Sequence, residues 1–318
     1  MTACIVLAAG RGKRMKSVLP KVLHPVLGVP MVARVLEQAE LAGFDEIVVV
    51  VGHGRDEVVG LVEEHGASWE VQEEQLGTAH AVACGLRNLS ADSVVVLLGD
   101  VPLLESSTIS MLEEARKEAD AAVAVLTAEP PDPSGYGRIV RDGERLLAIV
   151  EHRDCTPAQR KIREINTGMM SFDGKLLPAL LERVDSGNDQ GEYYLTDTVA
   201  EAVAMGRMCI AVKAGDYMEV SGVNDRVQLA RATEFLRTKV AGRHMLAGVD
   251  IPDPGSVWIE EAVEISGDVH LGRFVRLSGS TSVGPGCRLG DGCILVDHRL
   301  PGGTVLAPYT VLERGGRK

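Results

Sequence analysis

The chain has 318 residues, 45% of them hydrophobic and 25% charged, and its formal net charge is -12. That length can bury a full core and suits two domains, while the acidity disfavours nucleic acid as a general partner. No apolar run approaches the roughly 20 residues of a membrane span and no charged-then-apolar leader opens the chain, so a cytoplasmic location without a membrane partner is expected.

The first element reads as a buried strand that runs into a turn, ACIVLAAGRGKRMKSVLPK, residues 3–21. Against the acidic whole, Arg11, Lys13, Arg14, Lys16 and Lys21 gather here with no acid among them, a local island suited to a small polyanion. Two familiar phosphate motifs fail at one position: the dinucleotide fingerprint and the P-loop, both read from Gly10, need glycine where Met15 stands. What remains is a strand end, a turn whose N–H groups can face an anion, and the cations of Arg14 and Lys21. A solvated basic loop fits the same residues, so the stretch alone decides little.

Downstream, EIVVVVG and SVVVLLGD continue the buried strands, and PMVARVLEQAELAG and AHAVACGLRNL space their apolar residues as helices do. Such alternation predicts a mostly parallel sheet covered on both faces. GRIVRDGERLLAIVE breaks the rhythm as a hairpin around Asp142-Gly143. Asp100 directly follows an apolar run, so its carboxylate should emerge at the carboxyl end of a central strand, where open α/β sheets take ligands. A hard cation is its natural partner; a turn before Val101-Pro102 is the plain alternative. The six cysteines, at positions 4, 84, 155, 209, 287 and 293, form no C-x-x-C pair, which argues against a disulfide framework.

One amphipathic helix is predicted from Asp225 to about Ala247, where Asn224 or Asp225 could serve as cap. Then the period becomes six. Val257, Val263, Val269, Val275, Thr281, Cys287, Cys293, Val305 and Val311 fall on one grid, broken at Arg299, and Ile259, Ile265, Leu271, Leu277, Val283, Leu289 and Leu295 on another. Hexads of this kind mark a parallel β-helix, here of about three coils. So small a core would lean on the linker helix or on neighbouring subunits, which leaves both trimerisation and simple capping of the preceding domain open.

LAAGRGKRMKSVLPKVLHPVLGVPM closely resembles the signature of sugar-1-phosphate nucleotidyltransferases, matching it at Leu7, Gly10, Gly12, Arg14, Met15, Pro20 and Lys21, with Pro25 and Gly28 continuing it. VQEEQLGTAHA, LLGDVPLL, GYGRIV, IVEHRDCT, INTGMM, EYYLTD and VSGVNDRVQLA, in that order, are similar to the uridyltransferase part of bifunctional N-acetylglucosamine-1-phosphate uridyltransferases. The resemblance implies a Rossmann-like, mostly parallel but mixed sheet domain over residues 1–224, a linker helix over 225–250, and a short left-handed parallel β-helix over 251–318.

It implies an activity too: transfer of UMP from UTP to N-acetylglucosamine-1-phosphate, giving UDP-N-acetylglucosamine and pyrophosphate. By the same resemblance Arg14 and Lys21 are catalytic, and Leu7, Ala8, Ala9, Gly10, Gln72, Gly77, Thr78, Leu98 and Gly99 meet the nucleotide. Gly137, Glu151, Asn166 and Thr196 meet the sugar, and Asp100 with Asn224 holds Mg²⁺. His53 and His80 need no catalytic role, since an ionised phosphate is already a nucleophile. Leu98 stands where an aromatic residue is common and Ala79 where glycine is usual. The many further coils of the bifunctional relatives, with their acetyl-CoA site, are not part of this sequence, and acetyl transfer is expected to be missing. Another hexose-1-phosphate such as glucose-1-phosphate, another nucleotide such as dTTP, and a non-catalytic sugar-nucleotide sensor are the rival readings.

Overall fold

Thr2–Leu7, Glu46–Val51 and Ser93–Leu98 are runs of β-branched and aliphatic residues without a polar face, so they can only lie inside a sheet covered on both sides. In the computed structural model, which describes residues 1–188 and 190–313, they do so. The first strand pairs in parallel with each of the others, Ile5 lying opposite Val48 on one side and Val96 on the other. The nine-stranded sheet runs in the order Ser68–Val71, Glu46–Val51, Thr2–Leu7, Ser93–Leu98, Ile165–Asp173, Val123–Ala128, Cys209–Lys213, Arg145–Val150, Arg138–Asp142. Ile165–Asp173 is antiparallel to both of its long neighbours, and the expected hairpin joins the last two strands, so the sheet is mixed.

Strand alternation sends Cys4 and Val6 to one apolar cluster, with Val35, Leu36 and Leu112, and Ile5 to the other, with Val82, Phe172 and Leu180. Chain order reverses at Thr2–Leu7, since the next two strands extend the sheet to one side before Ser93–Leu98 is laid on the other. Loops diverge at such a switch point and leave a crevice beyond the carboxyl ends. The basic loop after Leu7 and the carboxylate of Asp100 both emerge there.

A second compact unit takes the chain from Leu229 onward, together with the short segment Pro25–Val29. The helix Arg226–Leu246 leads into it, capped by Asp225, whose Oδ1 accepts from the N–H groups of Val227 at 2.9 Å and Gln228 at 2.8 Å. Among the described residues, three parallel ladders of four, three and three short strands then form the β-helix. The last residues of its expected span, from 314, lie outside the described residues.

One feature of the repeat differs from expectation. Trp258 pairs with Arg276 and Arg276 with Ile294, steps of 18 residues, but Ser282 pairs with Arg299 and Arg288 with Val305, steps of 17. The turn before Arg299 is one residue short. The carbonyls of Thr281, Cys287 and Cys293 accept the ladder bonds of one coil, and those of His298, Thr304 and Thr310 accept them in the next. Val305 and Val311 therefore leave the inward row and project to solvent, 72% and 54% exposed. All six cysteines are buried and free, and no helix among the described residues is long and apolar enough to cross a membrane.

Candidate active site

Gly12 opens the basic loop with φ at 56°, and a Cβ there would lie 2.5 Å from the Cβ of Lys21. Glycine thus serves both the backbone turn and the passage of the lysine stem. The short turn Lys13–Met15 follows, and Met15 is 1% exposed. The residue that defeats the familiar phosphate motifs is a buried plug that fixes the loop. Around it Arg11, Lys13 and Arg14 are exposed.

The ammonium of Lys21 lies against Asp100 Oδ2 in a close ion pair and donates to Asn224 Oδ1 at 3.1 Å. The backbone arranges this meeting, because the Asp100 carbonyl accepts from the Val223 N–H at 2.8 Å. With Asp225 as the helix cap, the Asn224 side-chain oxygen is free to face Asp100's partner. Two oxygens, one of them anionic, therefore converge on a single cation. That donor set fits a hard divalent ion that keeps its other positions for water and phosphate oxygens, and the ammonium stands where such an ion would bind. Among the described residues no group of three His, Cys, Asp or Glu side chains is placed to hold a metal elsewhere.

Two cavities adjoin the basic loop, the first of them bordered by Lys21. One of about 680 Å³ is bounded by Arg11, Lys13, Arg14, Lys21, Gln75 and Asn224 with their neighbours. The other, about 670 Å³, is bounded by Leu7, Arg14, Thr78, Leu98, Glu151, Asn166 and Thr196 among others. Arg14 borders both. It makes no hydrogen bond or ion pair among the described residues, so its charge is available to a ligand. One cavity sets four basic side chains against the carboxylates of Glu73 and Glu74, a net cationic lining, and the other mixes apolar walls with carboxylate, amide and hydroxyl groups, a division suited to a polyphosphate tail and a polar ring.

Local irregularities build the second cavity. The strand Ile165–Asp173 shifts register between Asn166 and Met170, and in that bulge Asn166 Oδ1 accepts from the Gly168 N–H at 2.9 Å. The Asn166 amide nitrogen is left as a donor. Glu151 lies beside Thr196, whose hydroxyl donates to Oε1 at 3.5 Å. Burial, and then the Asp197 carboxylate, push the Glu151 carboxyl above its ordinary range. Gly137 does not border the cavity but supports it: its carbonyl accepts from the Asn166 N–H at 2.9 Å, and a Cβ on it would sit 3.3 Å from Glu151 Oε1.

The segment around Gly77 is laced to the one around Tyr193. Tyr193 N–H donates to the Leu76 carbonyl at 2.8 Å, Ala79 N–H to the Tyr193 carbonyl at 2.9 Å, and Leu195 N–H to Thr78 Oγ1 at 2.9 Å. Gln72 is 5% exposed and stands behind the wall, its amide nitrogen bound to the Gly77 carbonyl at 3.0 Å and to His80 Nδ1 at 3.1 Å. His80 is thus a supporting residue. Ala8 and Ala9 are buried while Gly10 is exposed, and the Gly99 N–H donates to the Leu7 carbonyl at 3.0 Å, joining the two strand ends. Gln75 was not singled out from the sequence; its Nε2 donates to the Ala9 carbonyl at 2.7 Å and closes the loop over the first cavity. The second glutamine in VQEEQ was the available signal.

A switch-point crevice with a cationic loop on one strand end and a carboxylate on the next is suited to chemistry at a phosphate group, and similarity to known proteins gives the class as nucleotidyltransferase. Residues 4–179 match the family model described as the MobA-like NTP transferase domain. The bifunctional protein GlmU of Syntrophotalea carbinolica is 43% identical over 313 residues, covering 98% of this chain and 68% of the relative. That of Streptomyces avermitilis is 43% identical over 319 residues, covering 98% of this chain and 66% of the relative. The chain spans about two thirds of the length of these curated relatives.

Solved structures share the fold. A UDP-glucose pyrophosphorylase complexed with UDP-glucose matches at TM-score 0.60 and 17% identity, over 75% of this chain and 99% of that one. A nucleotidyl transferase from Methanothermobacter thermautotroptrophicus matches at TM-score 0.53 and 20% identity, over the same 75% and 99%. The chain belongs to the MobA-like NTP transferase family and, within it, to the GlmU-like sugar-1-phosphate nucleotidyltransferases.

Proposed function

We propose that the protein transfers UMP from UTP to N-acetylglucosamine-1-phosphate, forming UDP-N-acetylglucosamine and pyrophosphate. The observation that carries this reading is the position of Arg14 on the border of two cavities, one cationic and one lined by Glu151, Asn166 and Thr196. A triphosphate lying across that border would present its α-phosphorus between them. The resemblance of GYGRIV, INTGMM and EYYLTD to N-acetylglucosamine-1-phosphate uridyltransferases supports the uridine nucleotide and the acetamido sugar over their rivals.

In the proposed step an oxygen of the sugar phosphate attacks the α-phosphorus in line, the new P–O bond forming as the bond to the bridging oxygen breaks and pyrophosphate leaves with the electron pair. No general base is needed, because the nucleophile is already ionised. Arg14, Lys21 and loop N–H groups stabilise charge on the equatorial and leaving oxygens. Glu151 accepts from a sugar hydroxyl, and the Asn166 amide donates to the sugar or its acetamido group. Gln72, Gly77 and Thr78 shape the wall against which the base is read. Asp100 and Asn224 would hold Mg²⁺, which when bound neutralises phosphate charge.

Pyrophosphate release across a panel of nucleoside triphosphates and sugar 1-phosphates tests the proposal. UTP with N-acetylglucosamine-1-phosphate should be the preferred pair. A strong preference for dTTP or for glucose-1-phosphate would overturn the specificity, and binding of UDP-N-acetylglucosamine without any turnover would favour the sensor reading.

A further inference from the structure

Arg138 is 1% exposed, yet among the described residues no carboxylate lies within ion-pair distance of it. Its Nη1 donates to the Tyr136 carbonyl, its Nε has no partner, and its Nη2 meets His152 Nδ1 at 3.4 Å. A guanidinium buried this way is costly, and packing alone gives no reason to keep it. Its chemistry does constrain its neighbour. Every guanidinium nitrogen is a donor, so Nδ1 of His152 is the acceptor, and the ring hydrogen resides on Nε2.

His152 borders the second cavity beside Glu151. Two consecutive residues can both face it because the strand ends at Val150 and the chain then turns, the Asp154 N–H donating to the Glu151 carbonyl at 3.0 Å. Nε2 has no partner among the described residues. Around it the cavity walls carry the acceptors Glu151, Asp154 and Glu192, and donors that include Arg14, Arg153 and the Asn166 amide. A hexose that carries an acceptor-only oxygen, such as an amide carbonyl, needs donors there.

We propose that His152 is a specificity-determining residue that donates from Nε2 to an acceptor oxygen of the hexose, and that Arg138 is the positioning residue that fixes its tautomer. This rests on the sugar-binding reading of the second cavity. His152→Asn keeps an acceptor near the Nδ1 position for Arg138 but cannot reach the place of Nε2. His152→Gln reaches that place and deprives Arg138 of its acceptor.

The expected result is a rise of about three- to tenfold in KM for the sugar 1-phosphate in His152→Asn, with KM for UTP and thermal stability unchanged. His152→Gln should recover most of the sugar affinity and melt earlier. A purely structural histidine leaves both KM values unchanged in His152→Asn and shows only as the earlier melting of His152→Gln. Sugar KM within about twofold of wild type in His152→Asn, or a matching rise in both KM values, overturns the inference. Nitrogen NMR of wild-type His152 is an independent arm that needs no variant to fold, and a hydrogen on Nδ1 would equally refute it. A wild-type chain that turns over no sugar 1-phosphate refutes the functional reading and this inference together, whereas normal wild-type turnover with an unaffected variant refutes the inference alone.

Discussion

Lys21 and Asp100 are paired at the carboxyl ends of the switch-point strands, with Asn224 Oδ1 3.1 Å from the same ammonium nitrogen. The lysine therefore occupies the place between the two oxygens that the proposed reaction assigns to Mg²⁺. Two cations compete for one anionic position. Lys21→Met should have opposite effects on two measurements. Calorimetry should find tighter Mg²⁺ binding to the substrate-free variant, while turnover falls by about 100-fold, the usual cost of removing one charge-stabilising donor. Weaker or equal metal binding in the variant would dismiss the competition.

Gly77 has φ at 118° and ψ at 177°, a region that is essentially restricted to glycine. A Cβ there would also lie 2.4 Å from the Tyr193 carbonyl oxygen. Gly77→Ala must break the lacing between the Leu76–Ala79 and Tyr193–Leu195 segments, since strain of about 1–3 kcal/mol is added to a backbone collision. Urea unfolding should move to lower concentration, and KM for UTP should rise more than KM for the sugar 1-phosphate. An alanine variant with wild-type nucleotide affinity would show that this segment does not shape the base pocket.

Much of this was readable beforehand, for identifiable reasons. Buried parallel strands have no polar face, so CIVLAA and SVVVLLGD could be recognised by composition alone, and the residue after each strand followed. Gly12 and Lys21 were both visible, but not that one makes room for the other's stem. The unpaired burial of Arg138 was hidden, because GYGRIV reads as an ordinary strand and nothing local says which arginine lacks an acid. The slip in the β-helix escaped for a different reason. A one-residue deletion leaves the period intact on either side, and Val305 and Val311 happen to be aliphatic on the old grid. The row Leu300, Leu306, Leu312, one residue early, was its trace.

Glu151 links stability to pH with a definite sign. Its carboxyl is raised by burial first and by Asp197 second. Below about pH 4 the folded and unfolded chains both hold the proton and the group costs nothing. As pH rises through the ordinary carboxyl range the unfolded chain ionises first, so stability falls until the folded-state value is passed and the full penalty remains above it. Glu151→Gln should accordingly resist denaturant better than wild type at pH 7 and equally at about pH 4, while KM for the sugar 1-phosphate increases. Identical denaturation curves at both pH values would mean that the carboxylate is not penalised in the folded protein.

The 17-residue step of the β-helix makes a prediction that the regular hexad grid reverses. On that grid Val305 would be a core residue and Leu300 would not. In the ladder Leu300 follows Val283 and is 4% exposed, whereas Val305 follows Arg288 and is 72% exposed. A charge introduced at an exposed strand position changes stability by no more than about 0.5 kcal/mol, but a lysine buried without a partner costs several. Val305→Lys should therefore unfold as wild type does, and Leu300→Lys should unfold at markedly lower denaturant concentration in the transition that reports the β-helix. The opposite ranking would restore Val305 to the inward row and reject the short turn before Arg299.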